Sequence, residues 1–334
     1  MAGVAERDLE QRLLTELGRT VAGWSPIAGG AQNRLFRIDT QGGPPLVAKF
    51  YHRDRWNRLE REFTVLACLG QIGLARVPRA LLRSDEFMYG VYTLESGTSR
   101  QASELGLEEL RAVAAFAADL HSLAPDDMSC DLSPAVEASF CVADQLRVID
   151  ARLNARPDVA TGLTLHARVA ELIERATDGL SGADRVQALP RSAWRINSAD
   201  FGPQNLLFTD RGDLTVVDFE AGGWDDPARL VMGFVAHAAS EDLTPGAVQL
   251  FLSTYSQMRS LSADEAARFE RVGLLLDIEW VAIYASALTA EAIAAKQFAM
   301  TDFDRDAYLV GVMDKLQQRL ARASDGRGYR FQHS

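Results

Sequence analysis

The sequence has 334 residues, 47% of them apolar, and its 46 acidic against 35 basic side chains leave a formal net charge of −11. That length exceeds one small core and fits two lobes, and that apolar content excludes a mainly disordered chain. The acidic balance argues against a nucleic-acid backbone as main partner and mildly favours a cationic or neutral substrate, while no run approaches the roughly 20 uncharged apolar residues of a membrane span. The N-terminus, MAGVAERDLEQ, carries acidic residues and no apolar core, so it does not read as a secretory signal. Cys68, Cys130 and Cys141 are an odd, sparse set without metal-ligand spacing, and are expected to be reduced thiols of a cytoplasmic protein.

Residues 5–19 put Leu9, Leu13, Leu14 and Leu17 on one helical face, a covering helix with no chemistry in it. Gly29 and Gly30 then precede an alternating strand. A glycine pair between strands lets backbone N–H groups approach phosphates, although G-x-x-x-x-G-K-[ST] is not present. Residues 46–50, LVAKF, read as a strand with Lys49 inside an apolar run, where an ammonium is costly unless a charge meets it. Residues 56–69 read as a helix whose buried face carries Phe63, Leu66 and Leu69, with Glu62 beside it. Val77-Pro78 begins an extended run, and residues 88–95 are apolar and strand-like before Ser96-Gly97-Thr98. Helices then dominate, over 107–123, 134–155, 164–180 and, past a central stretch, on to 323. His121 reads as a capping or packing residue, and the tail from 324 as frayed or disordered.

The central stretch, residues 194–226, reads WRINSADFGPQNLLFTDRGDLTVVDFEAGGWDD. Residues 194–196 form one expected strand, and 205–208 and 214–217 a hairpin turned at Asp210-Arg211-Gly212-Asp213. A loop between strands can hold the carboxylate of Asp200 and the amide oxygen of Asn205, and the hairpin returns Asp218 to the same place. Two carboxylates and one amide oxygen make a hard, oxygen-rich site suited to Mg²⁺ with phosphates, with one carboxylate left to take a proton from a hydroxyl. Asp200-Phe201-Gly202 also spells D-F-G, which would make Asp200 a metal ligand. That register needs a catalytic loop near Asp184, with Asn five residues on, where Leu189 stands.

D-x4-N followed thirteen residues later by D-F-E, as Asp200, Asn205 and Asp218-Phe219-Glu220, resembles the catalytic and metal-binding loops of the aminoglycoside phosphotransferase and choline kinase-like small-molecule kinases. The resemblance implies an α+β, bilobal protein-kinase-like fold: a small β-rich lobe over 1–95 and a larger, mainly helical lobe over 96–334. It implies Asp200 as catalytic base, Asn205 and Asp218 as Mg²⁺ ligands, and Lys49 on nucleotide phosphates, steadied by Glu62 in preference to Glu60. The hinge would lie over 93–97, with the backbone of Thr93, Leu94 and Glu95 on the adenine edge. ATP is the expected donor, with GTP left open. Such kinases usually carry His two residues before the base, a residue that supports the loop; here Ser198 stands there.

Residues 272–290 read as a helix apolar nearly all round, yet it carries Asp277 and Glu279, and a buried carboxylate needs a partner. Two residues apart, they point about 200° apart on a helix, so at most one can face a cavity. One account pairs them internally, with Arg271 or Arg229 as partners. The other places the helix along the acceptor site, with one carboxylate on the acceptor and Trp280 as an apolar wall. Three functions follow: an ATP-dependent kinase of a small amino alcohol, sugar or aminoglycoside-like antibiotic; a protein kinase, opposed by the lack of an A-P-E segment after Asp218; and a non-catalytic nucleotide-binding protein. The sequence leaves the oligomeric state undetermined.

Overall fold

The computed structural model describes residues 2–27, 33–155, 164–300, 302–325 and 329–331. Five antiparallel strands form the N-terminal sheet: β1 (Thr20–Ile27), β2 (Arg34–Gln41), β3 (Leu46–Phe50), β4 (Ala80–Ser84) and β5 (Tyr89–Thr93), in the order β1-β2-β3-β5-β4. Strand alternation gives β3 two characters. Leu46 and Ala48 are sealed on one face with Ile38, Tyr89 and Val91, under Leu9 and Leu13 of helix α1 (Ala2–Leu17). Val47 and Lys49 therefore point to the opposite face, towards helix α2 (Arg58–Gln71) and the cleft.

Beyond Thr93 the chain is mostly helical: α3 (Leu107–Leu120), α4 (Val142–Asn154), α5 (Leu165–Ala176), α6 (Gly182–Val186), α7 (Pro227–Ala236), α8 (Pro245–Arg259), α9 (Ala263–Ser286), α10 (Ala290–Ala299) and α11 (Arg305–Asp325). Helix α9 is the spine, packing against α4, α5, α7 and α11. Two short antiparallel pairs carry the central stretch, β6 (Arg195–Asn197) with β9 (Gly223–Asp225), and β7 (Leu206–Phe208) with β8 (Leu214–Val216). The hairpin is moored to the linker by Thr98 N–H donating to Phe208 O and Phe208 N–H to Thr98 O, both at 3.0 Å. Gly97 makes this approach possible. Its φ is +112°, and a Cβ there would lie 2.8 Å from the Phe208 backbone.

Several expectations are corrected. Helix α4 starts at Val142 rather than at 134, because Ala135 N–H instead donates to Trp224 O at 2.9 Å and draws the preceding segment alongside β9. The expected helix 272–290 begins earlier, at Ala263, capped by Ser262, whose Oγ accepts from Glu265 N–H. Tyr329 and Phe331, in the tail read as frayed, are 7% and 5% exposed, because two aromatics spaced by one residue supply enough apolar area to dock against Phe269 and its neighbours. Cys68 and Cys130 are joined in a disulfide rather than reduced, while Cys141 is free. Their 62-residue separation carries no sequence signature. Among the described residues no single helix is long and apolar enough to cross a membrane.

Candidate active site

Strand β6 ends at Asn197, and its side chain shapes the loop that follows. Asn197 Oδ1 accepts from Ala199 N–H at 2.8 Å, and its amide nitrogen donates to the buried Asp225 Oδ2 at 3.0 Å. The clamp holds Ala199 in the left-handed region, φ 64°, a conformation costing about 1–2 kcal/mol for a residue with a Cβ. The turn leaves the Asp200 side chain 45% exposed at the cleft. Asn205 donates its amide N–H to Asp200 O at 2.8 Å and to Oδ2 at 3.0 Å, and His237 Nε2 lies 2.9 Å from Oδ1. Burial opposes the charge of Asp200. Hydrogen bonds from His237, Asn205 and Gln204 outweigh it and hold the carboxyl below its ordinary range.

The second group of residues forms around Lys49. Its Nζ donates to Glu62 Oε2 at 2.7 Å and Asp218 Oδ1 at 2.6 Å, and lies 2.9 Å from Glu220 Oε2. Glu62 Oε1 also accepts from Phe219 N–H at 3.2 Å, and Tyr51 OH donates to its Oε2 at 2.6 Å. Glu62 is thus fixed by α2, β3 and the loop after β8 together. Asp218 itself sits at φ 68°, a left-handed conformation that aspartate tolerates better than most residues. Glu220 pairs with Arg58 at 2.5 Å and accepts from Asn33.

Negative charge exceeds positive here. Glu62, Asp218 and Glu220 each place a carboxylate oxygen within 4.8 Å of the others. Burial, then Glu220, Glu62 and Asp200, push the Asp218 carboxyl up to about 8 against the pull of Lys49. A carboxylate so crowded beside a partly exposed cleft fits a divalent cation, which supplies the missing charge. Asn205 turns its amide nitrogen to Asp200, so its amide oxygen points away from that carboxylate.

The other expected site residues fall out differently. Gly29 and Gly30 lie outside the described residues. Thr93 ends β5, and its hydroxyl donates to Glu95 Oε1 at 2.5 Å. Leu94 and Glu95 are half-buried, and their backbones make no backbone hydrogen bond among the described residues. Asp277 and Glu279 are both buried, and each is met by an arginine. Glu279 takes a two-pronged contact from Arg229 at 2.9 and 3.1 Å, and Asp277 lies 3.1 Å from Arg319 with Tyr329 OH donating to it at 3.1 Å. The internal account therefore describes both, because arginines of α7 and α11 reach α9 from opposite sides. Arg229→Met removes the cation that meets both Glu279 and the buried Asp225 and is expected to cost about 3 kcal/mol in urea unfolding. A loss below about 1 kcal/mol would mean that Glu279 finds another cation. Trp280, in contrast, lies beside the site, its ring edge-on to His237 at 4.8 Å.

Sequence reading missed Glu220, Arg58, Asn33 and His237. Glu220 had a signal, as the third residue of D-F-E. His121, as expected, is structural: it caps α3, its Nδ1 lies 2.8 Å from Tyr255 OH, and burial with Arg259 and Arg195 nearby lowers it to about 3.

Among solved structures, choline kinase LicA from Streptococcus pneumoniae superposes with a TM-score of 0.61 at 16% identity, covering 95% of this chain and 99% of that one. The ethanolamine kinase of Plasmodium vivax gives 0.63 at 12% identity over 94% and 86%, and ADP-bound aminoglycoside phosphotransferase APH(2'')-Ib gives 0.59 at 15% over 96% and 98%. These likenesses establish the shared α+β, protein-kinase-like fold. No curated protein sequence matches the chain. A family profile described as the phosphotransferase enzyme family matches residues 23–269, well over half of the sequence. The chain belongs to the phosphotransferase enzyme family.

Proposed function

We propose that this phosphotransferase is an ATP-dependent kinase of a small hydroxyl compound, with residues 1–95 as the nucleotide lobe and 96–334 bearing the acceptor side. The observation that carries the reading is the meeting of Lys49, Glu62 and Asp218 from three distant segments, with Asp200 close enough for its charge to be felt at Asp218. Asn205 and Asp218 would hold Mg²⁺, which supplies positive charge against the triphosphate. Lys49, steadied by Glu62, binds the α- and β-phosphates. Asp200 orients the acceptor O–H and takes its proton while the oxygen bonds to the γ-phosphorus. The bond from that phosphorus to the β–γ bridging oxygen breaks, and ADP leaves with its electron pair. GTP presents the same phosphates and remains an alternative donor.

The charges bear on the acceptor as well. Asp277 and Glu279, the two buried carboxylates of α9, are already taken by arginines. Lys296 of α10 is half-buried and near enough to Asp200 and Glu220 to feel their charge, although burial and Lys315 lower its pKa on balance; it adds a second amine to the cleft beside Lys49. Among amino alcohols, sugars and aminoglycoside-like compounds, an uncharged sugar-like polyol suits this setting best. Mass spectrometry of metabolite pools incubated with MgATP is expected to show a polyol gaining one phosphoryl group. Choline or ethanolamine phosphorylated as fast as any polyol would sink the acceptor reading, and no transfer or nucleotide binding in any pool would sink the kinase reading.

Lys49→Met keeps the stem and removes the charge. Nucleotide affinity is expected to fall at least about tenfold, or about 1.4 kcal/mol. Equal affinity by calorimetry would return Lys49 to a structural ion pair.

A further inference from the structure

Ser198 cannot orient Asp200. It is 1% exposed and its Oγ has no hydrogen-bond partner among the described residues. Another side chain occupies that role by geometry. His237 follows the last residue of α7, a helix started by Asp226, whose Oδ1 accepts from Ala228 N–H at 2.7 Å, and by Pro227 at its first turn. The helix delivers the imidazole to the side of Asp200 away from Asn205, so the two oxygens are held by different residues, Oδ1 by His237 and Oδ2 by Asn205.

The tautomer follows from the other ring nitrogen. Ala239 N–H donates to His237 Nδ1 at 3.0 Å. A nitrogen that accepts a hydrogen bond carries no proton, so the proton of the neutral ring is on Nε2, facing Asp200. The ring is fixed in the plane this requires by Trp280 on one side and by the catalytic loop on the other. Gly202 shows how tight that second contact is. Its φ of −124° needs no glycine, yet a Cβ there would stand 2.6 Å from His237 Cε1 and Nδ1. The space left at 202 is filled by the imidazole together with Gln204, whose Oε1 would stand 2.5 Å from that Cβ.

We propose that His237 is the positioning residue of the catalytic carboxylate: its Nε2–H holds Asp200 Oδ1, leaving the remaining lone pairs aimed at the acceptor, and Gly202 is kept bare to admit it. The inference rests on Asp200 being the base. It requires no proton transfer by His237 itself.

The test uses the full-length protein, MgATP, and water as the acceptor, so that no substrate need be identified. His237→Phe keeps a ring beside Trp280 and removes the N–H. Hydrolysis is expected to fall about 10- to 100-fold in kcat, with the KM for MgATP and the melting temperature nearly unchanged. His237→Gln returns an N–H near the place of Nε2 and should recover most of the rate. Gly202→Ala leaves every polar group present but crowds both the ring and Gln204, whose Oε1 would stand 2.5 Å from the new Cβ, so it should lose at least as much kcat as His237→Phe. Where hydrolysis is too slow to measure, ¹⁵N-histidine NMR of the wild type decides: a proton on Nε2 supports the proposal and a proton on Nδ1 overturns it. Unchanged kcat in His237→Phe, or equal losses in the Phe and Gln variants, also overturns it. Wild-type hydrolysis in Asp200→Ala would sink the base assignment instead, which keeps the two failures apart.

Discussion

Asp200→Ala is expected to lower phosphoryl transfer about a thousandfold while Mg-nucleotide affinity stays within about threefold. In the proposed mechanism the carboxylate touches the acceptor and not the nucleotide, so its loss should appear in turnover and not in binding. Its environment suits the task. Three hydrogen-bond donors hold the Asp200 carboxyl below its ordinary range against the partial desolvation of the surrounding protein, and its 45% exposed side chain remains reachable from the cleft. A base with a depressed pKa is a weak proton acceptor until the hydroxyl becomes acidic, late in the attack, so orientation supplies much of the effect. The sign of the shift also fixes the acid limb. Activity governed by Asp200 persists below the ordinary carboxylate pKa and falls only under strongly acidic conditions. Single-turnover measurements with saturating nucleotide separate the two quantities. A variant that transfers phosphate at the wild-type rate would remove Asp200 from the chemistry, and one that loses nucleotide affinity in proportion would make it part of the phosphate site.

What was legible in the sequence is what repeats locally. Lys49 lay inside an apolar strand, and alternation alone turned it to the face opposite Leu46 and Ala48. Glu62 lay beside the apolar stripe of α2, where it meets Lys49. The spacing of Asp200, Asn205 and Asp218 survived folding because one loop and one hairpin carry all three. The rest depends on contacts between distant segments. His237 reaches Asp200 across 37 residues, through the length of α7 and the bareness of Gly202, and neither has a sequence period. The arginines that neutralise Asp277 and Glu279 come from helices α7 and α11, at separations no helical rule covers. Helical periodicity suggested burial of α9 correctly, but it could not say whether a buried carboxylate faces an arginine or a ligand.

Asp218→Asn is expected to lose at least about a thousandfold in turnover and yet to melt higher than the wild type in the absence of divalent metal at alkaline pH. Both outcomes come from the same crowding. Asp218 shares its position with Glu62 and Glu220, and Lys49 is the cation within hydrogen-bond reach of all three. Its carboxyl is raised to about 8 in the folded protein, against a model-peptide value of roughly 3.9. A raised folded pKa favours the protonated side chain, so its contribution to stability is complete below about pH 4 and is lost as pH rises through 8. Asparagine does not ionise, accepts the left-handed backbone at 218, and leaves Lys49 with Glu62 and Glu220. The difference in melting temperature between variant and wild type, measured in EDTA, should therefore widen from pH 5 to pH 8 and then level off. Mg²⁺ with nucleotide should raise the wild-type melting temperature and leave the variant nearly unmoved, since the proposal makes Asp218 the metal's charged ligand. Parallel melting curves at every pH, together with Mg²⁺-dependent turnover in the variant, would place the metal on other oxygens, with Glu62 and Glu220 the nearest carboxylates.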